Sequence, residues 1–169
     1  MSIFVKNDTM GTMKKALVVY YTFSGTTGGL AAEIARQTGA DLREIRPETP
    51  YAFDYHTAAK EARSEIERGF CPRLVAGLGP VGQYDCVFIG SPNWFKRFAP
   101  PILSFLRNTD LAGKTVIPFC TSGGGGLSQM PEEFARECPR SNILPGFAAS
   151  PGFTPEEVSQ WLQRTGWQG

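Results

Sequence analysis

The chain has 169 residues, of which 41% are apolar or aromatic, and 17 basic and 16 acidic residues leave a formal net charge of +1. This is the size of one globular domain with an ample core, and the interspersed charges form no basic patch suited to nucleic acid or an anionic membrane. No stretch has the roughly 20 apolar residues of a spanning helix or the core of a signal peptide. We therefore expect a single soluble, cytoplasmic domain at residues 14–169, preceded by an N-terminal extension at residues 1–13.

Short apolar runs alternate along the chain with segments of helical periodicity. Such runs predict strands buried on both faces of a sheet, at residues 16–21, 41–47, 84–90, 114–120 and 142–149. The second run is more polar and ends at a proline, which is typical of a sheet edge. Pro145 and Gly146 interrupt the last run.

A helix is predicted after each of these strands from apolar residues spaced by three or four positions. The helical faces lie at residues 30–38, 55–66, 100–106, 127–138 and 155–165. The last helix has the clearest start, because Thr154, Pro155 and Glu157 form a capping box. Five such units predict an α/β fold with a mostly parallel sheet covered on both faces, which binds its ligand beyond the carboxyl ends of the strands.

The segment after the first strand crowds four hydroxyl side chains into six positions, namely Thr22, Ser24, Thr26 and Thr27. Because this segment opens a helix, its N–H groups and the positive helix end can bind a phosphate without lysine or arginine. Each hydroxyl can donate to a phosphate oxygen, and Gly25 permits a tight turn. Helix capping alone would explain one hydroxyl, not four. The pattern predicts a phosphate-binding loop.

Two other strand ends are chemically unusual. The third strand leads into GSPNWF and the fourth into CTSGGGG. An exposed indole at Trp94 would be suited to stack on a planar ligand, and the alternative is an apolar plug over the sheet end. The glycines at residues 123–126 stand between a core strand and a core helix, so close approach of the backbone to a ligand explains them better than a flexible linker.

With these three loops the chain resembles a flavodoxin. TFSGTT fits the phosphate-loop pattern of that family at Thr22, Ser24, Gly25 and Thr27, and the other two loops stand where flavodoxins embrace the isoalloxazine ring of FMN. The resemblance covers about residues 14–166. The connector PYAFDYHTAAKEARSE with the later CPRL is similar to that of short, poorly characterised bacterial flavodoxin-like proteins. The fold implied is a three-layer αβα sandwich with a five-stranded parallel sheet in the order 2-1-3-4-5.

The resemblance also implies FMN as cofactor and a set of residues that hold it. These are Thr22, Phe23, Ser24, Gly25, Thr26, Thr27, Ser91, Pro92, Asn93, Trp94, Phe95, Thr121, Ser122, Gly123 and Gly124. Because the flavin would supply the redox chemistry, no residue is assigned as a general acid, a general base or a metal ligand.

Three functions stay open under this resemblance. The first is an electron carrier with a redox partner protein, the second an FMN-dependent NAD(P)H or quinone reductase, and the third a non-catalytic flavin-binding or protein-interaction module. Electron-carrying flavodoxins are generally acidic, which steers them to basic partners. This chain is nearly neutral, and its lack of an acidic field favours the reductase over the carrier. Lys96 and Arg97 follow Trp94 directly, where they either place positive charge near the ligand or form a solvated turn. The oligomeric state is not predicted.

Other patterns fail in their context. GLGPVG at residues 77–82 matches a dinucleotide fingerprint but precedes a strand, and GKT at residues 113–115 also precedes a strand instead of a helix. His56 is the sole histidine and cannot build an ordinary zinc site. The four cysteines lack metal-ligand spacing, so we expect reduced thiols.

Overall fold

The computed structural model of the protein describes residues 15–167, so the predicted extension at residues 1–13 lies outside the described residues. The strands of the described part are β1 (Ala16–Tyr20), β2 (Asp41–Glu44), β3 (Cys86–Trp94), β4 (Arg97–Phe98), β5 (Thr115–Thr121), β6 (Asn142–Ile143) and β7 (Phe147–Ala149). The helices are α1 (Thr26–Thr38), α2 (Tyr55–Arg68), α3 (Pro100–Arg107), α4 (Met130–Glu137) and α5 (Pro155–Thr165).

The main sheet is parallel and has the order β2-β1-β3-β5-β6. Strand β4 folds back antiparallel on β3 as the second arm of a hairpin, and β7 pairs with β5 further along the same side as β6. If the hairpin arm β4 is set aside, this is the predicted order 2-1-3-4-5. The prediction of a flavodoxin-like α/β fold is therefore confirmed.

The two faces of the sheet are covered by different helices. Along β1, Leu17 and Val19 face the core shared with α2, α3 and α4, whereas Ala16 and Val18 face the core shared with α1 and α5. Both faces bury apolar side chains, and each large one contributes roughly 1.5–3 kcal/mol to folding. This division gives the three layers expected for the fold.

Three predicted strands differ by several residues from those observed. The second was predicted over residues 41–47, but β2 ends at Glu44. The third was predicted to end at Gly90, but β3 continues through Trp94, because β5 pairs with it as far as Pro92 and β4 folds back on its end. The last was predicted as one strand, but it is split into β6 and β7. Pro145 has no N–H to donate, and its carbonyl accepts from Nε1 of Trp161 at 3.0 Å, so the chain leaves the sheet there.

The start of α5 is confirmed in detail. Oγ1 of Thr154 accepts from the N–H of Glu157 at 3.3 Å, and the Glu157 carboxylate accepts from the N–H of Thr154 at 2.8 Å. This reciprocal pair satisfies two N–H groups that a helix start otherwise leaves without a partner.

Candidate functional site

The turn that follows β1, called here the phosphate loop (residues 22–27), is held by its own side chains. Gly25 has φ +98 at the N-cap of α1, a conformation that favours glycine. Oγ1 of Thr22 accepts from the N–H of Gly25 at 3.1 Å and from the N–H of Gly28 at 3.2 Å. The Thr22 oxygen thus shapes the loop, and its O–H is still a donor.

The other three hydroxyls of the phosphate loop differ in their surroundings. Thr27 is 2% exposed, and its Oγ1 lies 2.7 Å from Oγ1 of Thr121 at the end of β5. Ser24 is exposed and Thr26 half-buried, with 3.4 Å between their hydroxyl oxygens. The first turn of α1 has no acidic residue, and the N–H groups of its first positions have no intrahelical acceptor. The end of α1 is therefore positive and unopposed by a carboxylate in that turn.

The β3–β4 hairpin (residues 93–98) turns tightly at Phe95 and Lys96. Their φ values are 55 and 68, which is the type I′ geometry that normally selects Asn-Gly. In the described part of the chain, only one further non-glycine residue has a positive φ: Ser128, at 51, in the glycine loop (residues 122–128) that follows β5. Such conformations cost about 1–3 kcal/mol each and persist only where neighbouring contacts hold them.

Hydrogen bonds join the hairpin to the glycine loop. Nδ2 of Asn93 donates to the carbonyl of Gly126 at 2.7 Å and lies 3.1 Å from Oγ of Ser128. The N–H of Gln129, just beyond that loop, donates to the carbonyl of Lys96 at 3.0 Å. Within the loop, Oγ of Ser122 accepts from two glycine N–H groups. These contacts use the amide donors of Asn93 inside the protein.

Ser91 also makes structural contacts. It is 1% exposed, and its Oγ accepts from the N–H of Ala99 at 2.7 Å while donating to the carbonyl of Pro92 at 2.8 Å. Its hydroxyl therefore braces the base of the hairpin. The predicted contact of Ser91 with the flavin ring involves its backbone and stays a prediction.

A buried carboxylate holds the other arm of the hairpin. Glu133 of α4 is 3% exposed and accepts from Nε of Arg97 at 2.8 Å and from the N–H of Phe98 at 3.2 Å. Burial raises the pKa of the Glu133 carboxyl above its ordinary value, against the opposing influence of the Arg97 guanidinium. Arg97, expected to place positive charge near a ligand, is thus paired, whereas Lys96 is exposed in the turn.

Trp94 lies at the end of β3 inside an aromatic cluster. Its ring meets those of Tyr21, Phe23 and Tyr51 edge to face, with centroids 5.7, 5.7 and 5.2 Å away. Trp94 is only 7% exposed, so the prediction of an exposed ring is wrong and the ring closes over the sheet end, whereas its predicted contact with the flavin stays a prediction. The Tyr51 hydroxyl donates to Glu65, and burial raises the pKa of both groups.

A cleft of about 670 Å³ opens beside the phosphate loop, at the carboxyl ends of β1 and β2. Phe23, Tyr51 and Phe53 give it aromatic walls, and Arg46 stands at its polar side, where it is paired with Glu44 at 3.1 Å. This volume lies within the range of ligand sites. The cleft borders the predicted site only through Thr22, Phe23 and Ser24, and the rest of its lining consists of Tyr21, Val75 and residues between Glu44 and Phe53.

A model of the flavodoxin family matches residues 15–165 of this sequence. The chain belongs to the flavodoxin family. A flavoprotein from Lactobacillus acidophilus, crystallised in complex with FMN, is 25% identical, with a TM-score of 0.73 over 89% of this chain and 99% of that one. Two candidate flavoproteins, from Bacteroides uniformis and Bacteroides eggerthii, are 34% and 28% identical, with TM-scores of 0.80 and 0.81. They cover 89% and 92% of this chain, which spans 98% and 100% of theirs. The likeness to short bacterial flavodoxin-like proteins is thereby confirmed.

In this flavodoxin the three predicted loops meet at the carboxyl ends of the strands of the sheet. The Thr27–Thr121 hydroxyl pair joins the first loop to the third, Asn93 joins the second to the third, and the Phe23–Trp94 contact joins the first to the second. Their meeting point is where a doubly wound sheet binds its ligand.

Sequence reasoning missed Glu133 as a part of this end of the sheet, and it left open whether the aromatic connector at residues 50–73, which contains Tyr51, covers the flavin. Nothing distinguishes Glu133 from its neighbour Glu132 in the sequence, since both stand in the first turn of α4. Tyr51 belongs to the aromatic connector, whose composition was the available signal.

Among residues 15–167 no group of three or more His, Cys, Asp or Glu side chains is placed to hold a metal ion. No helix in the same range is long and apolar enough to cross a membrane. Cys71, Cys120 and Cys138 are free thiols, and burial raises the pKa of Cys120 to about 12 and that of Cys138 to about 11.

Proposed function

We propose that this protein binds FMN at the joined ends of β1, β3 and β5 and serves in electron transfer in the cytoplasm. The observation that carries the proposal is the start of α1, where exposed or half-exposed hydroxyls of Ser24 and Thr26 surround a helix end with no acid in its first turn. A terminal phosphate is the ligand such an end favours. The likeness to the Lactobacillus acidophilus flavoprotein, whose crystal structure contains FMN, supports it.

The residues at this edge fit FMN. The hydroxyls and N–H groups of the phosphate loop supply donors for a phosphate dianion. The glycine loop presents backbone, because Gly123 and Gly124 have open space where a side chain would stand, and the exposed ring of Phe95 and half-buried ring of Phe23 are apolar surfaces for a planar ring. Ser91 would contribute indirectly, because its hydroxyl holds the base of the hairpin. Trp94 would also contribute indirectly, because its ring packs against Phe23. Bound FMN would supply the redox chemistry, and the protein the binding and orientation.

The phosphate loop can be tested with a charge that the fold tolerates. Thr26→Glu places a carboxylate in the first turn of α1, which suits a helix N-terminus but repels a phosphate. We expect it to weaken FMN binding by about tenfold or more, which is about 1.4 kcal/mol, while binding of riboflavin, which lacks the phosphate, changes little.

Ala32→Glu is the matched control, because it adds the same charge at an exposed position within α1. Binding would be followed by the quenching of flavin fluorescence. Equal effects of the two variants, or equal effects of Thr26→Glu on FMN and riboflavin, would contradict the phosphate assignment. A wild-type protein that retains no flavin would overturn the proposal and favour the non-catalytic interaction module.

A reductase is the second candidate function, favoured by the net charge of +1 and by the exposed Lys96 in the turn. The two functions separate when NADPH is added to the FMN-loaded protein without oxygen. Bleaching of the flavin absorbance by NADPH alone supports a reductase with its own substrate site. Bleaching that requires a separate reductase supports the carrier.

A further inference from the structure

We infer that Glu133 is a positioning residue, which holds the β3–β4 hairpin against the glycine loop so that both are in place before a flavin binds. The expected effect of Glu133 on FMN affinity rests on the proposed function. Its expected effect on the order of the hairpin concerns the flavin-free protein alone.

Both carboxylate oxygens of Glu133 are committed to the hairpin. One accepts from Nε of Arg97 and the other from the N–H of Phe98, at 2.8 and 3.2 Å. Phe98 is 3% exposed, so its N–H would be a buried donor without a partner if this carboxylate were removed. Glu133 is equally dependent on the hairpin, because a buried carboxylate requires a compensating partner.

The helix that bears Glu133 is a rigid support. Met130 and Phe134, on either side of it in α4, are each 1% exposed in the core. The same helix start reaches the turn itself, since the N–H of Gln129 donates to the carbonyl of Lys96. The start of α4 therefore contacts the hairpin both at its turn and along β4.

The hairpin turn and the glycine loop, which these contacts hold together, also contain the strained residues. Phe95, Lys96 and Ser128 all have positive φ, and all three lie within the network that Asn93, Gln129 and Glu133 close. Strain of this kind relaxes when its contacts are lost, because the alternative conformations are individually cheaper. Removing the carboxylate would therefore let the hairpin sample conformations that no longer match the glycine loop.

Order that exists before binding lowers the cost of binding. If the loops must be ordered by the ligand instead, part of the binding free energy is spent on that ordering, and affinity falls. Glu133, which we do not expect to touch the flavin, would thus control its affinity through the hairpin.

The chain offers a matched control on the same helix. Glu137, one turn after Glu133, accepts from Nε and Nη2 of Arg107 at 3.0 and 3.3 Å and joins α4 to α3. It is another glutamate–arginine pair of α4, but it makes no hydrogen bond to the hairpin.

The first measurement is amide hydrogen exchange of the full-length, flavin-free protein at a temperature where all variants are folded. We expect Glu133→Ala to speed exchange at residues 94–99 by about tenfold. Glu133→Gln should be intermediate, because its side-chain oxygen can still accept from the N–H of Phe98 but lacks the charge that pairs with Arg97. Glu137→Gln should leave these amides unchanged.

The second measurement is FMN affinity, with the same order of variants and a loss of about tenfold for Glu133→Ala. Unchanged exchange at the hairpin in Glu133→Ala, or equal effects of the Glu133 and Glu137 variants, overturns the inference. Faster exchange with unchanged FMN affinity also overturns it, because the hairpin would then not govern binding. Failure of the wild-type protein to bind FMN refutes the proposed function instead, and hydrogen exchange alone then decides whether Glu133 positions the hairpin. If Glu133→Ala does not fold, Glu133→Gln is judged against Glu137→Gln by the same criteria.

Discussion

The phosphate loop and the β3–β4 hairpin lie at the same edge of the sheet but are stabilised by different means. In the phosphate loop a glycine takes the left-handed position, and the Thr22 hydroxyl reaches N–H groups within six residues. In the hairpin the left-handed positions are a phenylalanine and a lysine, and the contact that secures Phe98 comes from Glu133, 35 residues later. The first element is specified locally, whereas the second requires the folded protein around it.

The largest effect on stability is expected in β3, the strand that supports both the phosphate loop and the hairpin. Gly90 in β3 accepts from the N–H of Tyr21 just before the phosphate loop, and it precedes the hairpin by a few residues. A Cβ at this position would lie 2.1 Å from the ring of Phe119, which is itself 1% exposed and enclosed by the core. Gly90→Ala should therefore reduce the free energy of unfolding by about 3 kcal/mol, measured by urea denaturation.

Gly82→Ala is the control for that substitution, because Gly82 is exposed and has open space at the Cβ position. It should change stability by no more than about 0.5 kcal/mol. A loss in Gly90→Ala no greater than in this control would show that Phe119 can move aside, and that the common support is less rigid than the packing indicates.

The same contrast between local and distant contacts decides what the sequence could predict. The turn of the phosphate loop and the capping box of α5 follow from residues close together in the chain, whereas the strand order was predicted only from the resemblance to a family. The length of β3 could not be predicted, because Pro92 is a poor strand former and only its pairing with Thr121 of β5 carries the strand onward. The burial of Trp94 likewise depends on Tyr51, which comes from the connector between β2 and α2.

Glu133 shows the limit most clearly. A glutamate in the first turn of a helix is usually a solvated partner of the helix dipole, and Glu132 is exposed as this rule expects. Only the hairpin that packs over α4 makes its neighbour a buried acceptor. A residue that stabilises a distant loop cannot be recognised from the sequence pattern around it.

A smaller effect tests the local element by itself. Gly25→Ala meets no neighbouring atom, so its cost arises from the positive φ alone and should be about 1–2 kcal/mol. Gly29→Ala, four residues later within α1, also meets no neighbouring atom and has no positive φ. It should raise stability by about 0.5–1 kcal/mol. Thermal unfolding of both variants would measure these opposite signs, and two changes of the same sign would contradict the assignment of strain to Gly25.

The smallest effect concerns the strained turn of the hairpin. Because Lys96 has φ 68, glycine would fit its conformation better than lysine, and we expect Lys96→Gly to be neutral or to raise the free energy of unfolding by up to about 1 kcal/mol. The same substitution at the exposed Lys60 within α2 should lower it by about 1 kcal/mol, since glycine is a poor helix former. Denaturant titration of the two variants compares an identical chemical change in two backbone settings. If both variants lose the same stability, the turn of the hairpin carries no measurable strain at Lys96. The hairpin would then not differ from the phosphate loop in this respect.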